Sequence, residues 1–197
     1  MMRALCAIVV AGCWNAAPAP HAPQPTIALS ISETNFGPLD AGSPATLANL
    51  RKLFAGYDVR PVNDSGLEYR IYAGHEELFF VVTNDDASIF NVHATSAKVS
   101  TQQHPWRVGQ PFQDAAVLTY CECWGDNPTW YRAGEHVAVS FKRECDGVID
   151  QQDRRALKVL DGLAPQRIIW SPTPFGSPGS DGSDAAAGSG GDDDDGN

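Results

Sequence analysis

Four side chains in the second half of the chain, Cys121, Cys123, His136 and Cys145, are of the types that support metal, redox or crosslinking chemistry. Three thiolates and one imidazole make a tetrahedral zinc set, and the soft sulfurs also suit Cu(I). The Cys-x-Cys spacing is tighter than a zinc knuckle, which weighs against such a site. Thiol-redox chemistry needs an exposed cysteine of low pKa, and the neighbouring carboxylates of Glu122 and Asp126 push the other way. In an oxidising compartment the same cysteines form a structural disulfide, Cys145 with Cys121 or Cys123, and leave one thiol. Closing a loop of about 20 residues contributes about 3 kcal/mol in the chain-entropy view. The disulfide is the expectation. A metal or thiol-redox set of Cys121, Cys123, His136 and Cys145 is the alternative.

Aromatic side chains crowd the same region: Trp106, Tyr120, Trp124, Trp130 and Tyr131. Exposed together with Asp126 and Asn127, they would stack on sugar rings as a glycan-binding surface; packed inward, they are core and loop anchors. His75, Glu76, Glu77, Asp85 and Asp86 fall in expected hairpin turns, where charged groups are ordinarily solvated, and His93 ends a strand. Asp146 to Asp153 lack the oxygen-ligand spacing of a calcium loop. No serine-hydrolase elbow, zincin, P-loop or dinucleotide fingerprint is present. These residues predict a non-catalytic protein with no cofactor.

A further cysteine carries an address instead. Val10-Ala11-Gly12-Cys13 has the form of a lipoprotein cleavage box, following a basic start at Arg3 and an apolar run from Ala4 to Val10. That run has the length of a signal-peptide core and falls well short of the ~20 residues of a spanning helix. Cleavage removes Cys6 with the signal and leaves Cys13 as the lipidated first residue. The expected location is the bacterial cell envelope. Trp14 is not an aspartate retention signal, which favours the outer membrane in the sorting pattern of enterobacterial lipoproteins.

Composition divides the chain into residues 1–12 as signal, 13–26 as a Pro/Ala-rich tether, 27–170 as one domain and 171–197 as a tail. The tether favours extended polyproline geometry, and at ~3.1 Å per residue it spans up to ~40 Å. The tail, ending in Asp192 to Asp195, has little apolar surface to bury and is expected to be disordered, so its removal should be neutral. The net charge is −10 overall. Six of the 24 acidic residues lie in the tail, leaving residues 27–170 at −5. Without a basic stripe, nucleic acid is not a partner. The partners expected are the lipid anchor in the membrane and an envelope protein or glycan.

Hydrophobic patterning then supplies the elements that hold these residues. Ile27 to Ser32 alternates as a strand, and Asn35-Phe36-Gly37-Pro38 reads as a turn. Ser43 suits a helix N-cap and Pro44 the first turn, with Leu47, Leu50, Leu53 and Phe54 on one face and Gly56 as the stop. Strands are predicted over 57–62, 67–72, 78–82, 88–94, 136–141 and 167–170, and the unbroken apolar run Leu78 to Val82 predicts a central strand. A short helix after Pro111 through Leu118 and another from Asp150 to Gly162 complete the reading. The expected class is α+β: one domain, a mostly antiparallel sheet with two or three short helices packed on it.

This order of features resembles the RpoE-regulated lipoprotein family. The likeness rests on Gly37-Pro38-Leu39, Gly56-Tyr57-Asp58-Val59, the run Val108-Gly109-Gln110-Pro111-Phe112-Gln113-Asp114 and the closing Arg167-Ile168-Ile169-Trp170. It implies an envelope lipoprotein under envelope-stress control, with no catalytic residues to carry over. The Cys-x-Cys pair and the acidic tail depart from the family pattern.

Overall fold

The computed structural model describes residues 29–63, 67–113, 117–124, 127–142 and 160–177. The chain enters through a small sheet. Strands β1 (Ser30–Ile31) and β2 (Asn35–Phe36) form a tight antiparallel turn, β3 (Leu39–Asp40) follows, and β8 (Ser100–Thr101) pairs parallel with β1. Phe36 was expected in a turn and instead lies on a strand, fully buried. Gly37, at φ +55°, makes the reversal that a β-carbon would strain. One α-helix is present among the described residues, α1 (Leu47–Leu53).

The large sheet holds eight strands. A first meander runs through β4 (Asp58–Pro61), β5 (Glu68–Ala73), β6 (Glu76–Thr83) and β7 (Ile89–Ala94). A second runs through β9 (Tyr120–Trp124), β10 (Asn127–Tyr131), β11 (Val137–Ser140) and β12 (Arg167–Trp170). The two meet where β7 pairs antiparallel with β12, giving the order β4-β5-β6-β7-β12-β11-β10-β9. Side chains alternate between faces, so one register line lies on one face of all eight strands. The inner line is Val59, Ile71, Phe79, Ala94, Ile168, Val139, Trp130 and Cys121, every one buried. The small sheet and α1 close over it, with the Phe36 and Phe54 rings 4.8 Å and 5.0 Å from that of Phe79. Each such ring removes a large apolar area from water, and burying a side chain of this size contributes about 1.5–3 kcal/mol.

The expected α+β class is therefore replaced by a mostly β architecture of two sheets with a single short helix among the described residues. Of the helix expected after Pro111, residues 114–116 lie outside the described residues, and residues 111–113 are not helical. Phe112 N–H donates to Leu163 O at 2.8 Å, and Gly162 N–H donates back to Phe112 O at 3.0 Å. This pairing with a distant turn satisfies the backbone groups of Phe112. The helix expected from Asp150 lies outside the described residues apart from Leu160, which is buried in a turn closed by Gly162 at φ +84°. The Cys-x-Cys region, which has no place among the strands predicted from sequence, is the edge hairpin β9–β10.

The described chain continues past Trp170, the expected end of the domain. Residues 171–177 fold back on the outer face, where Phe175 is buried against Tyr131, Ala138 and Ile169. Phe175 N–H donates to Glu135 O at 2.9 Å, and Gly134 N–H donates to Phe175 O at 3.0 Å.

Candidate functional site

A cavity of about 370 Å³ opens where the small sheet meets the end of the large one. Glu33 reaches it from the β1–β2 turn, in which Ser32 Oγ accepts the Asn35 N–H at 3.1 Å. Asp40, at the end of β3, is fixed through one oxygen, which accepts the Gly42 N–H at 3.0 Å and the Ser43 hydroxyl at 2.8 Å. Ser43 is thus spent on this turn, and the N-cap of α1 is Thr46, which accepts from Asn49 N–H. Across the opening, His136 precedes β11, and its backbone N–H donates to Glu33 Oε2 at 3.3 Å. The His136 ring has a defined tautomer when neutral. Its Nδ1 lies 2.7 Å from Ser171 O, and a carbonyl only accepts. Nδ1 therefore carries the proton, and Nε2 offers a lone pair. Trp170, also on the cavity wall, is fully buried, and its indole Nε1 has no hydrogen-bond partner.

Among the described residues no Ser, Thr or Cys side chain is hydrogen-bonded to the His136 ring. Among the described residues no Lys or Arg lines the cavity, and its acidic groups are Glu33 and Asp40.

Of the cysteine set, Cys121 and His136 lie within the described residues and are far apart. Cys121 pairs with Trp130, which pairs with Val139, three residues along β11 from His136. Two strand spacings and three residues of rise put the Cys121 and His136 backbones about 14 Å apart, far beyond joint ligation at 2.0–2.3 Å. Among the described residues no group of three or more His, Cys, Asp and Glu is placed to hold a metal ion. Cys121 carries a free, buried thiol. Burial, with the Glu122 carboxylate adding to it, pushes that thiol up to about 12, so it is inert to exchange at neutral pH. Cys13, Cys145 and the side chain of Cys123 lie outside the described residues, and with them the lipid attachment and the pairing of Cys145.

Three of the five aromatics are core, and Tyr120 is half-buried. Trp106, Trp130 and Tyr131 are buried, Trp106 stacks on His104 with ring centres 3.8 Å apart, and Tyr131 donates its hydroxyl to Glu122. A glycan-stacking surface of Trp106, Trp130 and Tyr131 is therefore not formed; the Trp124 side chain and Asp126 lie outside the described residues. The expected turn residues are also tied down. Glu76 bridges to Lys98 at 2.7 Å, Glu77 to Arg70 at 3.2 Å, and Asp86 accepts from Ser88. Hydrogen bonds from Lys98 and Ser96 hold the Glu76 carboxyl below the usual range.

Comparison with known proteins adds a fold likeness. No family model matches the chain, and no curated protein matches it. The chain is similar in fold to YfeY. The crystal structure of that uncharacterized Escherichia coli protein superposes with a TM-score of 0.52 at 15% identity, covering 72% of this chain and 99% of that one. The likeness to YfeY spans essentially that whole molecule, so the two-sheet architecture is a shared one.

Glu33, Asp40 and Trp170 did not stand out in the sequence. Glu33 and His136 are 103 positions apart, and no local spacing announces that the small sheet brings them together.

Proposed function

We propose that this chain is a lipid-anchored bacterial envelope protein of the RpoE-regulated lipoprotein family, with a non-catalytic binding or supporting role at the outer membrane. The observation that carries the reading is the box Val10-Ala11-Gly12-Cys13 behind a short basic and apolar start. Several acyl chains on Cys13 hold a protein firmly, since each buried CH₂ contributes ~0.8 kcal/mol. The fold likeness to YfeY supports the family assignment, and the cavity beside His136 offers a place for a binding role.

Metabolic labelling with radioactive fatty acid tests the anchor. The wild-type chain should take up label and sediment with membranes, and Cys13→Ala should lose the label. A labelled mutant, or a fully soluble wild type, would refute the assignment.

A further inference from the structure

We propose that the domain meets the membrane with one end, docking Lys98, Arg107 and Lys142 on an anionic phospholipid surface. The proposal rests on the anchoring reading above and adds how the anchored domain is oriented.

Strand register sorts the charges along the molecule. The pairings set the end of β7, the start of β12 and the end of β11 beside the β5–β6 turn, and the β10–β11 turn beside the β6–β7 turn. Lys98 follows β7, Arg167 opens β12 and Lys142 follows β11, so all three belong to the first of these ends. Arg107 joins them, its Nη1 donating to Ala97 O at 3.2 Å. Backbone bonds close the gap from Arg107 to Lys142: Gly109 N–H donates to Pro165 O at 2.9 Å, and Gln166 N–H to Ser140 O at 2.8 Å. Lys98, Arg107 and Lys142 are exposed, Arg167 is half-buried, and the apolar Leu163, 38% exposed, lies in the same stretch. Carboxylates near them are bridged, Glu76 to Lys98, Glu77 to Arg70 and Asp58 to Arg60. That leaves Asp161, in the turn before Leu163, against Arg107, Lys142 and Arg167, which have no carboxylate partner among the described residues. The opposite end is acidic, with Glu33, Asp40, Asp85, Asp86 and Glu135, of which Glu135 is bridged to Arg132.

The two exits of the chain select a membrane as the occupant of the basic end. Ser100 N–H donates to Leu29 O at 3.0 Å, and β1 runs parallel to β8, so the segment from Cys13 joins the domain beside Lys98. The acidic tail departs from the other end: Phe175 is bonded to Gly134 and Glu135, and the tail's six carboxylates lie beyond it in the chain. An anchored domain therefore has its cations next to the anchor and its carboxylates away from it. The net charge of −10 does not oppose this contact. The eight residues of β6, at ~3.3 Å each, separate the ends by about 26 Å, more than twice the ~10 Å Debye length at 0.1 M salt. A negative surface thus attracts the near end while its field on the far end is screened. Each Lys or Arg close to such a surface improves partitioning about fivefold, and Leu163 adds apolar contact with the interface.

The test is co-sedimentation of the unacylated chain from Trp14 to Asn197, which holds every described residue, with vesicles at 0.1 M salt. Vesicles of phosphatidylcholine should leave it in solution, vesicles with added phosphatidylglycerol should carry it down, and 0.5 M salt should release it. Lys142→Gln and Arg107→Gln should each weaken binding about fivefold, while Arg132→Gln, at the acidic end, should not weaken it. A spin-labelled lipid should broaden the amide signals of Lys98, Arg107 and Lys142 and spare those of Asp85 and Glu135. Equal binding to the two kinds of vesicle, unchanged binding in both Lys142→Gln and Arg107→Gln, or broadening at the acidic end would overturn the proposal. The chain used carries no acyl group, so failure here and failure of fatty-acid labelling are distinguishable.

Discussion

His93 shows how a single residue acquires chemistry that its sequence position does not display. On the outer face its ring lies parallel to Phe80, 4.4 Å away, with Nε2 2.8 Å from Asn91 Oδ1 and Nδ1 buried without a partner. Arg70 and Arg167 both lie over the same Phe80 ring, at 5.9 Å and 5.3 Å. Burial, reinforced by the Arg167 charge, pushes the imidazole down to about 3. An unfolded histidine titrates near 6.5. Above that pH both states are neutral and nothing is lost. Below it the unfolded chain takes a proton that the native state refuses, so stability falls between pH ~6.5 and ~3 and levels off beneath. Part of the ring still meets solvent, so the full loss should be about 2–4 kcal/mol, below what the whole shift implies. Urea unfolding of wild type and His93→Gln at pH 7 and pH 5 checks this. The mutant should lose clearly less stability on acidification, and parallel losses would exclude His93 as the cause. That window avoids Glu76 and Asp86, whose carboxyls are held low and contribute only at more acidic pH. From sequence, His93 reads as a strand-end residue; its environment depends on Arg167, which only the β7–β12 pairing delivers.

At the scale of elements, legibility followed locality. Glu68 to Ala73 alternates as its pattern predicts, and Leu78 to Val81 is buried without interruption, as a central strand requires. The hairpin β9–β10 was hidden because Cys121, Cys123 and Trp130 suggest chemistry before they suggest a strand pair. Phe112 shows the same limit: after Pro111 its helical start signal is overridden by backbone partners at Gly162 and Leu163. The helix that does form starts later than its sequence suggests. Ser43 has the chemistry of a cap, but Asp40 captures its hydroxyl, and Thr46 caps instead. Thr46→Ala should therefore cost about 0.5–2 kcal/mol, while Ser43→Ala should leave α1 intact and loosen the Asp40 turn. Chemical denaturation measures the first. Helical chemical shifts over Leu47 to Leu53 report the second, and loss of those shifts in Ser43→Ala would reassign the cap.

For the whole molecule, the segment after Trp170 decides where the domain ends. Its composition is Pro, Ser, Thr and Gly with one Phe, which reads as the start of a disordered tail. That single Phe175 ring changes the outcome: it covers Tyr131, Ala138 and Ile169 on the outer face, with its centre 5.4 Å from the Tyr131 ring. Gly176 then turns at φ +71° so close to Tyr131 that a β-carbon would sit 3.3 Å from the ring edge. The Ser171 carbonyl also holds the His136 ring, so the same segment orients one wall of the cavity. Ending the chain at Trp170 should lower stability by about 2–4 kcal/mol, because a large apolar side chain is lost and the face beneath it is exposed. Ending it after Ser177 should leave stability unchanged. Thermal melts of the two truncations against the full chain separate these outcomes. Phe175→Ala in the full chain should reproduce most of the first loss while keeping the Ser171–His136 bond. If the chain ending at Trp170 melts with the full-length protein, the docked segment contributes nothing and the domain ends where the sequence alone put it.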